Sequence, residues 1–161
     1  MFETLTQAPP DKILALMGEY AADPRPTKID LGVGVYKDEA GNTPIFTSVK
    51  KAEARMIDGE KTKTYLGIAG NKGFGDLVRD LALHGAVPAE RTRIVQSVGG
   101  TGALYVLLAL VARANPDATV WLSDPTWPNH GPIAAHCGLK TATYPYFDTV
   151  TRGVKFDAML A

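Results

Sequence analysis

The sequence has little of what marks several large classes of protein. Its 161 residues contain one cysteine, Cys137, which excludes an internal disulfide framework and is typical of a reducing compartment. Lysine plus arginine and aspartate plus glutamate are equal at 17 each, so no basic surface points to nucleic acid or to an anionic membrane. The longest apolar run, residues 103–112, is far shorter than the roughly 20 residues that span a bilayer. We therefore predict a cytoplasmic protein that binds neither nucleic acid nor membrane.

Metal-ligand spacing and a signal peptide are also lacking. The three histidines and Cys137 are not arranged at the intervals of a zinc site, so we predict no metal. The N-terminus, Met-Phe-Glu-Thr, has neither the basic nor the apolar stretch of a signal peptide.

What the sequence does have is an alternation of helical and extended patterns. An irregular arm over residues 1–10 precedes a helix that Asp11 caps and that runs to Tyr20; further helices are expected over 49–59 and 74–83. From Arg93 onward, strands over 93–98, 119–123 and 140–146 alternate with helices over 103–114 and 132–137. This order predicts an α/β fold with a parallel sheet and helices on both of its faces.

The strongest local signal is the run Gly99–Ala103, between a predicted strand and an apolar helix. Glycines let the backbone close on a phosphate, and the first N–H groups of a helix have no partner inside it. Thr101 adds a hydroxyl donor. The nucleotide P-loop is excluded because its Gly-Lys-Ser/Thr ending is absent. We predict a phosphate cradle here, formed by Gly99, Gly100 and Thr101.

A second signal is the loop Asp124–His130, which directly follows a predicted strand. In an open α/β sheet this is the edge where ligands bind. Trp127 lies between prolines in this loop, so a rigidly held indole can offer a flat surface to an aromatic ring. Two glycine-bounded segments, one with Gly34 and one with Tyr65, are further candidates for ligand contacts.

In order and spacing, these segments resemble the bacterial aspartate/aromatic aminotransferases, pyridoxal-phosphate enzymes of fold type I. The resemblance covers essentially the whole chain. It is carried by Gln7-Ala-Pro9, Asp30–Asp38, Thr64–Gly67, Gly99–Leu104 and Asp124–His130.

The resemblance implies a role for each candidate residue. Gly99, Gly100 and Thr101 would bind the phosphate of pyridoxal 5′-phosphate, and Trp127 would stack on its ring. Gly34 would lie against the substrate carboxylate, with Trp127 also contacting it. Tyr65 would reach the cofactor phosphate of a neighbouring subunit, which implies a homodimer with shared active sites. His130 would stand behind the ring, bonded to the carboxylate that pairs with the pyridine nitrogen.

The resemblance also implies the reaction and the domains. The enzyme would transfer an amino group between L-aspartate, or an aromatic amino acid, and a 2-oxo acid such as 2-oxoglutarate. Residues 1–45 would be an arm and a small-domain segment, and residues 46–161 the first part of the large cofactor-binding domain. None of the lysines matches the family's Schiff-base motif, so no catalytic residue is assigned and the chain alone is expected to be inactive.

Two alternatives stand beside this prediction. One is a nicotinamide-dependent oxidoreductase, because Gly100 and Gly102 fit part of a dinucleotide fingerprint and Asp124 follows at a tolerable distance; Tyr105 stands where its third glycine belongs. The other is a truncated relative that keeps the fold without the chemistry.

Overall fold

A computed structural model describes residues 2–7, 12–32 and 34–161 of the chain. The predicted cap Asp11 and residues 8–10 of the arm lie outside the described residues. The chain divides into two compact units, Met1–Lys63 and Thr64–Ala161. In chain order the described elements are α1 (Lys12–Ala22), α2 (Thr47–Gly59), α3 (Lys72–Leu83), a 3-10 turn (Ala89–Arg91), α4 (Gly99–Ala114), β1 (Thr119–Asp124), α5 (His130–His136), β2 (Lys140–Pro145) and α6 (Phe156–Leu160).

The first unit contains α1, α2 and the segment between them. Lys28 follows α1 and its Nζ donates hydrogen bonds to the carbonyl oxygens of Tyr20 (2.7 Å) and Asp23 (2.8 Å). These bonds place a positive charge at the C-terminal end of the helix, where the last carbonyls lack partners. A turn at Asp38 follows, in which the carboxylate accepts from the N–H groups of Ala40 and Asn42.

The second unit is organised by the parallel pair β1 and β2. Their register runs from Thr119 opposite Lys140 to Asp124 opposite Pro145. Parallel neighbours need a crossover connection, and α5 supplies it. Ala134 on α5 and Leu139 before β2 are the buried apolar residues of the described chain. The α/β class predicted from the sequence is confirmed, and so are the positions of these two strands.

The strand predicted over 93–98 is wrong. Residues 92–97 belong to no regular element, and Gln96 makes a single backbone bond to another segment, from its N–H to the Ala69 carbonyl oxygen at 3.0 Å. A strand needs a ladder of such bonds, and the described residues include no strand beside this one. The apolar alternation was present, but the partner strand was not.

Helix α4 begins at Gly99, four residues before its predicted start, so the glycine run forms its first turn. The helix is apolar on all sides, a pattern typical of a helix that is buried all round. In this structure Val106, Leu107 and Leu110 are nevertheless 48%, 55% and 63% exposed. Within the described residues, no helix is long and apolar enough to cross a membrane.

Candidate functional site

Gly99, Gly100 and Thr101 form the first turn of α4, ahead of its first hydrogen bond. That bond runs from the Gly102 N–H to the Val98 carbonyl oxygen at 3.2 Å. The three N–H groups before it have no carbonyl partner within the helix. The first turn carries no acidic side chain, and the helix dipole places partial positive charge there. This end of α4 therefore suits an anion such as a phosphate group.

The two glycines at this turn serve different purposes. Gly99 has a φ of +62°, in the left-handed region that L side chains rarely adopt. Gly100 has no such constraint, and a Cβ placed on it would meet nothing within 4 Å. The space beside Gly100 is therefore open, and the chain itself leaves room there for a ligand. The turn fits the cofactor phosphate expected from the sequence.

The loop after β1 is held by contacts within itself. Ser123 Oγ donates to the carbonyl oxygen of Pro125 at 2.9 Å, and the His130 N–H donates to that of Trp127 at 3.1 Å. The peptide bond between Asp124 and Pro125 is cis. The indole of Trp127 is 38% exposed, so it is anchored in the loop with part of its surface available to a ligand.

His130 contacts two other residues of this loop. Its Nδ1 lies 2.7 Å from Thr126 Oγ1, a hydrogen-bonding distance. Its ring centroid lies 5.3 Å from that of Trp127, with the planes at 82°. These contacts fix the orientation of the imidazole relative to the indole. Sequence reasoning missed Thr126; its position four residues before the histidine was the available signal.

The start of α4 and the loop lie at the same end of the second unit. A surface recess of about 450 Å³ separates α4 from α5, and Thr101 and Asn129 both line it. Tyr105 and His136 also line the recess, with 5.6 Å between their ring centroids. Cys137 Sγ donates to the Tyr105 carbonyl oxygen at 3.8 Å. The structure thus brings the cradle beside Asn129, which follows Trp127 by two positions in the loop.

Tyr65 belongs to the same unit but not to this recess. Its side chain is fully exposed, at 102% of the reference area. Tyr65 begins a loop that runs to Gly70. The far end of this loop is hydrogen-bonded to Gln96, which lies three residues before Gly99, the start of the cradle. Sequence reasoning missed Gln96, since a contact across 25 residues leaves no local pattern.

Gly34 belongs to the first unit, in a segment closed by an ion pair. Asp30 pairs with Lys37 through Oδ2, and its Oδ1 accepts the Gly32 N–H at 3.0 Å. The hydrogen bond from Lys37, with a smaller contribution from the Gly32 N–H, lowers the pKa of the Asp30 carboxyl. A Cβ on Gly34 would meet nothing within 4 Å, so the chain itself leaves space there.

Comparisons with known proteins give this geometry a context. Residues 26–161 match the family described as aminotransferase class I and II. An aromatic-amino-acid aminotransferase of Paracoccus denitrificans is 53% identical over 161 residues, which are 100% of this chain and 41% of that protein. The aspartate aminotransferase of Escherichia coli is 44% identical over 99% of this chain and 41% of its own length. The chain therefore spans about two fifths of the length of these curated relatives.

The solved structures that resemble this chain are aminotransferases, like the relatives found by sequence. An aromatic amino acid aminotransferase with 3-indolebutyric acid has a TM-score of 0.90 and 53% identity, over 99% of this chain and 40% of its own. An aromatic-amino-acid aminotransferase from Burkholderia pseudomallei, covalently bound to pyridoxal phosphate, has a TM-score of 0.89 and 39% identity, over 99% and 41%. The nicotinamide alternative finds no support among these relatives.

Substituting the two glycines at the start of α4 should separate backbone strain from available space. Gly99→Ala puts an L side chain at a φ of +62°, so we expect it to lower the free energy of unfolding by about 1–2 kcal/mol. Gly100→Ala, the matched control, should leave stability unchanged or slightly raised, because alanine favours a helix and its Cβ meets no atom. Urea denaturation of both variants measures the difference; equal losses would contradict it.

The Asp30–Lys37 pair should be visible in an acid titration. Because the pKa of folded Asp30 is lowered, its stabilising contribution is present above about pH 3.9 and is lost as pH falls through the folded pKa. We expect Lys37→Gln to raise the Asp30 pKa towards its ordinary value, measured by carboxyl ¹³C NMR. Lys50→Gln, which removes a lysine paired with Glu53 instead, should leave the Asp30 titration unchanged. An unshifted titration in Lys37→Gln would refute the assigned cause.

Proposed function

Because the chain belongs to the aminotransferase class I and II family, we propose that the protein transfers an amino group between L-aspartate and a 2-oxo acid such as 2-oxoglutarate, with aromatic amino acids as further substrates. Relatives named for aspartate and for aromatic amino acids support both substrate groups. The cofactor is pyridoxal 5′-phosphate, which supplies an electron sink when the substrate loses a proton.

The observation that carries the proposal is the free first turn of α4. Gly99, Gly100 and Thr101 bind the cofactor phosphate through their backbone N–H groups, with the Thr101 hydroxyl as a further donor. The absence of acidic side chains in this turn supports an anionic ligand. Binding the phosphate fixes one end of the cofactor and sets the direction in which its ring extends.

Trp127 and His130 orient the ring. Trp127 stacks on the pyridine ring and contacts the substrate. His130 bonds to the carboxylate that pairs with the pyridine nitrogen. The Thr126 contact and the near-perpendicular packing on Trp127 support this division of roles, since both restrict the imidazole.

The remaining roles concern the substrate and a second subunit. Gly34 leaves room for the substrate carboxylate, and the open space at its Cβ position supports this. Tyr65 reaches the cofactor phosphate of the neighbouring subunit in a homodimer with shared active sites; its full exposure supports a contact outside its own chain. The amino acid and the 2-oxo acid are the small-molecule partners. A single cysteine supports a cytoplasmic location.

The chain corresponds to one part of such an enzyme. Residues 1–45 form the arm and a small-domain segment, and residues 46–161 the first part of the large cofactor-binding domain. The exposed apolar side chains of α4 support further protein packing on this region. No lysine here lies in the family's Schiff-base motif, so the proton-transferring lysine belongs to another part of the enzyme.

Activity should therefore depend on more than these 161 residues. We expect the chain alone to show no transfer of the amino group from L-aspartate to 2-oxoglutarate, measured as glutamate formed in the presence of pyridoxal phosphate. The protein expressed from its whole reading frame is the comparison. Glutamate formation by the 161 residues alone would contradict the assignment of the missing lysine. A whole reading frame without activity would favour a non-catalytic relative.

The cradle should respond to one added methyl group. Gly100→Ala places a Cβ in the phosphate's space without straining the backbone, so we expect the dissociation constant of pyridoxal phosphate to rise about tenfold or more. A lost hydrogen bond to a charged group is worth about 1.5–3 kcal/mol, and 1.4 kcal/mol is tenfold. Equilibrium dialysis measures binding, with Gly18→Ala in α1 as the control, because a Cβ there also meets nothing within 4 Å and the backbone is not left-handed. Unchanged affinity in Gly100→Ala would refute the cradle.

A further inference from the structure

Gln96 joins two segments of the second unit that are far apart in sequence. Its backbone N–H donates to the carbonyl oxygen of Ala69 at 3.0 Å. Its side-chain Oε1 accepts from the N–H of Asn71 at 2.9 Å, across 25 residues. One residue therefore binds the loop on either side of Gly70, through the main chain and through the side chain.

The loop approaches Gln96 so closely that only glycine fits at its centre. Gly70 has a φ of +87°. A Cβ on it would overlap the Gln96 Cβ and lie 2.6 Å from the Gln96 Oε1. Within the loop, the Gly70 N–H donates to the Gly67 carbonyl oxygen at 2.8 Å, which closes a tight turn. The turn and Gln96 are thus packed backbone against side chain.

The contact continues into helix α3. Asn71 accepts the Phe74 N–H through its Oδ1 at 3.0 Å and so caps the helix, while its own N–H is bonded to Gln96. Four residues further on, Gly75 is buried, and a Cβ there would lie 3.4 Å from Ile94 Cγ2. The segment 94–96 therefore lies along the loop and the first turn of α3.

The two joined segments lead to two different parts of the candidate site. Gln96 is followed within three residues by Gly99, where the phosphate cradle begins. Gly70 ends the loop that starts at Tyr65, whose side chain is fully exposed. The Gln96 contact therefore lies three residues before the cradle and at the far end of the loop that Tyr65 begins.

We propose that Gln96 is a positioning residue: its bonds around Gly70 hold the Tyr65 loop in a fixed place relative to the cradle of Gly99–Thr101. This inference rests on the proposed function, in which the cradle binds the cofactor of its own subunit and Tyr65 binds that of the neighbour. Gln96 then ties one active site of the dimer to the tyrosine that serves the other. It touches no cofactor and acts through Tyr65.

A double-mutant cycle between Gln96 and Tyr65 tests this on the protein expressed from its whole reading frame. Gln96→Met keeps the length of the side chain but has no oxygen for the Asn71 N–H, and Tyr65→Phe removes the hydroxyl. We expect each to raise the dissociation constant of pyridoxal phosphate about tenfold, measured by equilibrium dialysis. The double variant should also show about tenfold, because both changes remove the same contact.

Ile94→Val is the matched control for a loss of packing in the same segment. It should lower the melting temperature without raising the dissociation constant, because it leaves both Gln96 bonds in place. The cycle is repeated with Gln96→Asn, which keeps the amide but is one methylene too short, so that the result does not depend on one variant folding.

The outcomes separate this proposal from the one on which it rests. A dissociation constant that rises about a hundredfold in the double variant, or that does not change in Gln96→Met and Gln96→Asn, would overturn the role of Gln96 alone. Tyr65→Phe without effect would overturn the proposed role of Tyr65 and, with it, the role of Gln96, which acts through Tyr65. Failure of the unsubstituted protein to bind pyridoxal phosphate would instead overturn the proposed function.

Discussion

The left-handed backbone at Gly99 is the constraint on which the candidate site depends. Its φ of +62° turns an extended segment directly into α4, so that the helix begins on glycine with no side-chain cap. A capping side chain would have taken one of the free N–H groups. Here the N–H groups of Gly99, Gly100 and Thr101 are not bonded to a capping side chain. A ligand that accepts hydrogen bonds from them can therefore stabilise the helix as a cap would.

The crossover between the two strands fixes the other half of the site. Because β1 and β2 are parallel, the chain must leave the end of β1 and return along α5, and the loop with Trp127 lies where it leaves. Packing of α5 on α4, through Tyr105 and His136, then brings this loop to the first turn of α4. The cradle and the loop are therefore placed by the same few contacts, and a shift of α5 would move both His130 and Trp127 relative to the first turn of α4.

The sequence predicted the features that depend on neighbouring residues. The glycine run indicated where an extended segment gives way to α4, although the helix starts at Gly99 and not at the predicted Ala103. Pro125 and Pro128 marked the loop that holds Trp127. What it did not predict depends on distant partners. Residues 93–98 alternate like a strand, but a strand exists only beside another, and Gln96 instead makes one backbone bond to Ala69. The role of Gln96 had no local signal at all, because both of its bonds are to residues far away in the sequence.

The close approach at Gly70 also limits which substitutions the sequence can accept at positions 70 and 96. Any side chain at position 70 would collide with Gln96, and the φ of +87° would add strain to the collision. A smaller side chain at position 96 would keep the overlapping Cβ unless the residue were glycine, and it would also remove the acceptor for the Asn71 N–H. Neither position can therefore change first without loss, and the pair is expected to persist together or to be replaced together, even though 26 positions separate the two residues along the chain.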